Sequence, residues 1–266
     1  MQFLLTCTTE ELTLLVTMCG YPHVAKGVAE ETLGKKSSKE WEAIMEATTH
    51  QLMLKQIWDD EKFANDEVPL TEDMQAFIKS YVEAKWMIRC SDYPRESALM
   101  IHHFEGEKWL RHIIHKDIIH EFSYIGAKEI SEQINDYYSF EIDQSHIKEE
   151  FIITDEAFDL LSDKNRIKKV RKMSSFSIEE ETSFNKFISD LENEQWSLYN
   201  ISYFNIPHYE KDPYLENIVF FLPSPNGIWL AEYTDNPTKP VHIHLAPSEE
   251  WDDLLAGVST VASYAM

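Results

Sequence analysis

A strands-then-helix unit that occurs twice constrains this chain more than any other feature. The first copy runs Ser97–Phe104, the turn Glu105-Gly106-Glu107, Lys108–His115 and Ile119–Ile125, then the helix-like A-K-E-I-S-E-Q-I-N-D-Y-Y. The second runs Trp196–Phe204, Ile218–Leu222, the turn P-S-P-N-G, Ile228–Thr234 and Val241–Leu245, then A-P-S-E-E-W-D-D-L-L-A-G-V. In both, runs rich in β-branched and aromatic residues meet across turn formers, and an acidic amphipathic helix follows. The copies agree in order and pattern, not in residue identity. The expected fold is therefore α+β: two pseudo-symmetric lobes of antiparallel strands plus helix, with joined sheets that suit the holding of a partner.

Ahead of the first copy the apolar spacing is helical. Thr8 caps a helix with Glu11 at the capping-box position, Leu12, Leu15, Val16 and Cys19 form its apolar face, and Gly20-Tyr21-Pro22 end it. Ser38 caps a second helix with the face Trp41, Ile44, Met45, Thr48 and Leu52. Thr71 caps another, carrying Met74, Phe77, Ile78, Tyr81, Val82 and Trp86 at three-and-four spacing. Helices followed by a hairpin make a winged-helix-like N-terminal prefix. Between the copies, Glu149–Thr154 reads as a strand entering a helix capped by Thr154 or Asp155. A further helix has the face Phe184, Phe187, Ile188 and Leu191. The lobe boundary falls near Ser174, giving an N-terminal lobe of residues 1–173 and a C-terminal lobe of 174–266.

Charge narrows the partners. Forty-seven acidic residues against 24 basic ones leave a formal charge of −23, which repels nucleic acid and anionic membranes and argues against a DNA-reading winged helix. The only dense basic run, Lys164–Lys172, reads as a solvated segment facing the acidic bulk. Only 7 glycines in 266 residues argue against glycine-rich phosphate loops. Cys7, Cys19 and Cys90, odd in number and set in apolar pattern, read as buried small hydrophobes of a reducing compartment. The opening M-Q-F-L-L-T-C lacks a basic leader, and no run of about 18 apolar residues occurs, so the expected location is cytoplasmic, without membrane insertion.

Motifs for chemistry are missing. There is no G-x-S-x-G, no Cys/His nucleophile signature, no phosphate loop and no dinucleotide fingerprint. His242-x-His244 puts two imidazoles on one strand face, but the pattern supplies no third metal ligand. His102-His103, His112 and His115 read as polar strand surface, with His103 facing His112 across a hairpin. The expectation is a protein that is not an enzyme, with no cofactor, no metal and no catalytic residue. The longest polar insertion within a sheet unit, Asn205–Glu216, is the expected partner-touching element. Tyr209 and Tyr214 supply rigid apolar area, Glu210, Asp212 and Glu216 complement a basic helix, and the adjoining strand face adds Trp229 and Tyr233.

Thr9-Glu10-Glu11-Leu12, the helical prefix and two related strands-plus-helix halves resemble the EspG-like chaperones of type VII secretion. Asn226–Leu230 (N-G-I-W-L) and the closing H-I-H-L-A-P-S-E-E-W-D-D-L-L are similar to that family's closing strands and helix, although Ile228 stands where the family often carries Arg. The Lys- and Ile-rich, Arg-poor composition is closer to the EsaE-like relatives. The resemblance implies a cytoplasmic chaperone or adaptor for small helical WXG- or LXG-type substrates of a type VII-like secretion system. The alternative from the residues alone is an acidic immunity protein that neutralises a basic, nuclease-like toxin.

Overall fold

The structure, a computed structural model, describes residues 2–106, 108–140 and 148–264. Among these residues ten strands are interspersed with two groups of helices. The first half contains β1 (Gln2–Thr8), then α1 (Thr9–Met18), α2 (Pro22–Leu33), α3 (Ser38–Leu54), α4 (Asp60–Ala64) and α5 (Glu72–Val82). Four strands follow, β2 (Trp86–Asp92), β3 (Ser97–Glu105), β4 (Lys108–His115) and β5 (Ile119–Gly126), and α6 (Ile130–Tyr138) closes the half. The second half repeats the plan. It has β6 (Glu150–Ile153), then α7 (Asp155–Asp159), α8 (Ile167–Ser174) and α9 (Ile178–Asn193). Its four strands are β7 (Tyr199–Asn205), β8 (Tyr214–Ser224), β9 (Gly227–Tyr233) and β10 (Val241–Ala246), and α10 (Ser248–Tyr264) closes it.

All ten strands belong to one antiparallel sheet in the order β1-β5-β4-β3-β2-β7-β8-β9-β10-β6. The order reads the same from either edge once β2 is matched with β7, β5 with β10 and β1 with β6. The fold is thus α+β with two pseudo-symmetric halves, each built of antiparallel strands and helices. The repeat is larger than the sequence pattern exposes. Each copy also includes an edge strand and a helical segment in front of the recognised part, and the first copy a further meander strand, β2, which matches β7. Ser174, the expected boundary, is the last residue of α8, whereas the second half's first strand begins at Glu150. The sequence sets the insertion after β7 against Glu105-Gly106-Glu107, of which Glu107 lies outside the described residues. The matching connection is instead the short β2–β3 turn at residues 93–96.

Three apolar clusters make three layers. On one face, α6 and α10 pack together over both halves, burying Ile88, Leu99, Trp109, Tyr138, Ile201, Phe221, Leu230 and Trp251. On the other face α1–α5 cover the first half through Leu12, Leu15, Phe77, Ile78, Leu110 and Phe122. There the second half is covered by α7–α9 through Phe151, Phe184, Phe187, Trp229 and Ile243. The prefix is therefore part of the sheet sandwich, tied in at its front by β1.

Local signals hold at the caps. The Thr8 hydroxyl accepts from Glu11 N, and the Glu11 carboxylate accepts from Thr8 N at 2.9 Å. Glu11 is buried, and the Lys55 ammonium, 2.7 Å away, neutralises it. Thr71 and Thr154 cap α5 and α7 as expected, while α3 is capped by Ser37, one residue earlier than the pattern suggests. One expectation fails where pairing overrides spacing. Trp86, read as the end of a helical stripe, opens β2, because Lys85 and Trp86 join the ladder with β7. The opening apolar run forms β1 against β5.

Gly227, which opens β9, has φ of 152°, and a Cβ there would sit 2.5 Å from the Ala246 carbonyl oxygen. Substitution meets both backbone strain and rigid main chain of the neighbouring strand. Gly227→Ala is expected to lower stability by roughly 2–4 kcal/mol in urea unfolding, and an unchanged midpoint would contradict the β9–β10 packing described.

Candidate functional site

The shared helical layer leaves part of the sheet junction open. Beside the C-terminal half of α10 lies a groove of about 180 Å³. Ile88 of β2, Ile201 and Tyr203 of β7, Val219 of β8 and Val258 and Val261 of α10 line it. Its floor thus crosses from the first half to the second. Asn217 is the polar side chain in the lining, and Gly257 keeps the helix surface low, since a Cβ there would meet nothing within 4 Å. Trp86 stacks on Tyr203 at the edge of this floor, with ring centroids 5.3 Å apart and 13° between planes. Tyr214 pairs with Asn205, which pairs with Trp86, so strand alternation places Tyr214 on the same face. It is 63% exposed, and Val261 is also exposed. An apolar and aromatic strip results, in a chain of formal charge −23.

The residues expected to touch a partner divide between three places. Glu210, Asp212 and Glu216 are exposed around the β7–β8 hairpin. Tyr214 and Glu216 belong to strand β8, so the loop itself is only residues 206–213. Tyr209 is half-buried: it meets Tyr21 edge-on at 5.2 Å, and Tyr21 donates to Glu83 at 2.8 Å. Tyr209 therefore fastens the hairpin to the first half's helices. Trp229 is 1% exposed, and its indole N–H donates to Asp190 of α9 at 2.8 Å. Alternation correctly groups it with Tyr233, but that face is the one α7–α9 cover, so Trp229 is core and offers no contact area. Tyr233 is 65% exposed beyond the cover, on the face opposite Tyr214. The seven residues do not form one surface, and the groove residues Ile88, Ile201, Tyr203, Val219 and Val258 were not singled out. In sequence they are indistinguishable from core.

The histidines depart most from expectation. His102, His112 and His120 are buried in a column beneath α1 and α5. His112 stacks on His120 at 5.1 Å and on Phe122 at 4.2 Å, and Tyr81 meets both His102 and His112 edge-on. His112 Nε2 and His120 Nδ1 share a hydrogen bond of 2.9 Å, and the Thr9 hydroxyl lies 3.1 Å from His120 Nε2. Both nitrogens of His102 are buried without a partner. The register pairs His112 with Met100 and His103 with Trp109, so His103 does not face His112. The physical reason is coverage: α5 lies over a strand face that the sequence pattern reads as polar. A second cleft, about 220 Å³, opens beside this column between α2, α5 and the sheet, with Arg89, Met100, Asp117 and His120 in its walls.

Burial pushes the pKa of His102 and of His120 down to about 4, and that of His112 well below its usual value. The folded chain holds these imidazoles neutral while the unfolded chain protonates them below about 6.5. Their contribution to stability is complete above that pH and is lost as pH falls from about 6.5 to about 4. At pH 5 the loss is about 2 kcal/mol for His102. His102→Phe is expected to flatten the fall of the urea midpoint between pH 7 and pH 5, and an unchanged slope would contradict the neutral, buried assignment.

Among the described residues one set of possible metal-ligating groups converges, Glu232 with His242 and His244. No helix among the described residues is long and apolar enough to cross a membrane. In comparison with known proteins, the family described as "Uncharacterised protein YfjC" matches residues 24–247, a span from the second helix to the end of β10. No curated protein matches the chain.

Proposed function

We propose that this chain, which belongs to the YfjC family, is a cytoplasmic adaptor that holds an amphipathic helix of a protein partner. The observation that carries the reading is the groove at the junction of the halves. Apolar side chains from three strands and α10 line it, Gly257 leaves room at its mouth, and Trp86, Tyr203 and Tyr214 extend it toward the β7–β8 hairpin. An apolar strip of this kind fits the i, i+3, i+4 face of a helix laid along it. The acids at the hairpin, Glu210, Asp212 and Glu216, complement basic residues flanking such a helix and speed encounter.

The partner class we favour is a small helical export substrate of a type VII-like secretion system. The adaptor would keep its apolar seam covered before hand-over. The duplicated body supports this by presenting a rigid, sheet-backed floor, so that little ordering cost falls on the adaptor side.

Val258→Asp places a charge in the groove from a partly exposed helical position, and Tyr203→Ala removes its aromatic wall. Each is expected to weaken capture of the helical partner by about 2 kcal/mol or more with an unchanged circular dichroism spectrum. The measurement is affinity capture from native cytosol, with mass spectrometry identifying what is retained. Recovery of small helical secretion substrates by the wild type, and their loss in both variants, supports the proposal. Recovery of a basic toxin domain that binds both variants as well as the wild type would favour the immunity reading instead.

A further inference from the structure

We propose that Glu232, His242 and His244 form a binding site for a divalent transition-metal ion of the zinc class. The site begins with the strand period. Val241, Ile243 and Leu245 of β10 point into the core under α7–α9, so His242 and His244 share the opposite face. Their rings lie 5.0 Å apart and 23° from parallel. The antiparallel register sets Glu232 of β9 directly across from His242. One ligand atom from each of the three residues lies within 4.8 Å of those of the other two. Ligands of one zinc ion stand about 3.3 Å apart, given bonds of about 2.0–2.2 Å. The remaining closure is a rotamer change that the exposed Glu232 permits.

The surroundings fit metal ligation better than a bare histidine pair. Each imidazole already has a carboxylate beside its Nε2: Glu150 at 3.2 Å from His242, and Glu250 of α10 at 2.7 Å from His244. Carboxylates in that position orient a ligating imidazole and raise its basicity. His244 Nδ1 is buried and has no hydrogen-bond partner, a polar atom that a metal or its bound water would satisfy. Two imidazoles and one carboxylate suit zinc and its neighbours, whereas magnesium and calcium prefer all-oxygen sets. The cation that competes locally is Lys148, 2.9 Å from Glu150 and largely exposed, and it leaves Glu232 and Glu250 free of it. A bound ion would tie β9, β10 and the first turn of α10 together at the end of the sheet away from the groove's α10 wall.

The experiment is calorimetric titration of zinc chloride into tag-free, chelator-treated full-length protein, with the melting temperature followed in parallel. One tightly held zinc per chain and a higher melting temperature are expected. His244→Ala and Glu232→Gln should each weaken binding at least tenfold and abolish the melting shift. Glu232 is exposed, so its variant keeps the fold and decides the matter alone if the histidine variant does not fold. Absence of zinc uptake by the wild type, or uptake unchanged in Glu232→Gln, overturns the proposal.

Discussion

The antiparallel ladder between β2 and β7, running from Trp86 opposite Asn205 to Ser91 opposite Asn200, is the contact on which everything else rests. Without it the chain would be two five-stranded sheets, each presenting a long apolar edge. With it those edges satisfy each other, and among the described residues the sheet ends at β1 and the four-residue β6. The ladder also lines up Ile88 with Tyr203 and Cys90 with Ile201 under the shared helices. Tyr138 of α6 then reaches across the seam and donates to the Asn200 carbonyl at 3.0 Å. Buried hydroxyls need such partners, so the bond fixes where α6 lies relative to the second half.

The two faces of the sheet are covered unequally, and that inequality creates the openings. One face has a single layer of α6 and α10, joined by the bond from Ser131 N to Ser259 Oγ at 3.0 Å and by Trp251 Nε1 to Asn135. The other has two helical groups that do not merge over the midline. A sheet this wide cannot be covered by two helices, so the strip beside α10 remains apolar and accessible. The hairpin after β7 turns back to the first half through Tyr209 and Tyr21, which braces one end of that strip. Symmetry supplies the platform, and the departure from symmetry supplies the recognisable surface.

The histidines show how one residue type takes different roles in matched strands. In β5, His120 sits under α1 and is held neutral by burial. In β10, His242 and His244 meet acids at the rim of the sheet. The difference is what lies over the face: a five-helix cover on one side, the first turn of α10 and an edge strand on the other.

Much of the architecture was legible from residues alone. Capping boxes, turn formers and strand alternation depend on neighbours within a few positions, so Thr8, Thr71, Thr154 and the meander strands were readable, as was the face shared by Phe184, Phe187 and Leu191. Strand β1, the recruitment of Trp86 to β2 and the larger repeat were not, because they depend on pairing with residues more than a hundred positions away. The candidate groove was hidden for the same reason: Ile88, Ile201, Val219 and Val258 carry an ordinary core pattern, and only the reach of α10 decides which of them stays open. Trp229, His102 and His112 were misread because alternation tells which residues share a face but not which face is covered. The sequence by itself determined the period, the caps and the duplicated order, all local properties. The tertiary structure alone decided coverage, and burial, protonation and accessibility follow from coverage.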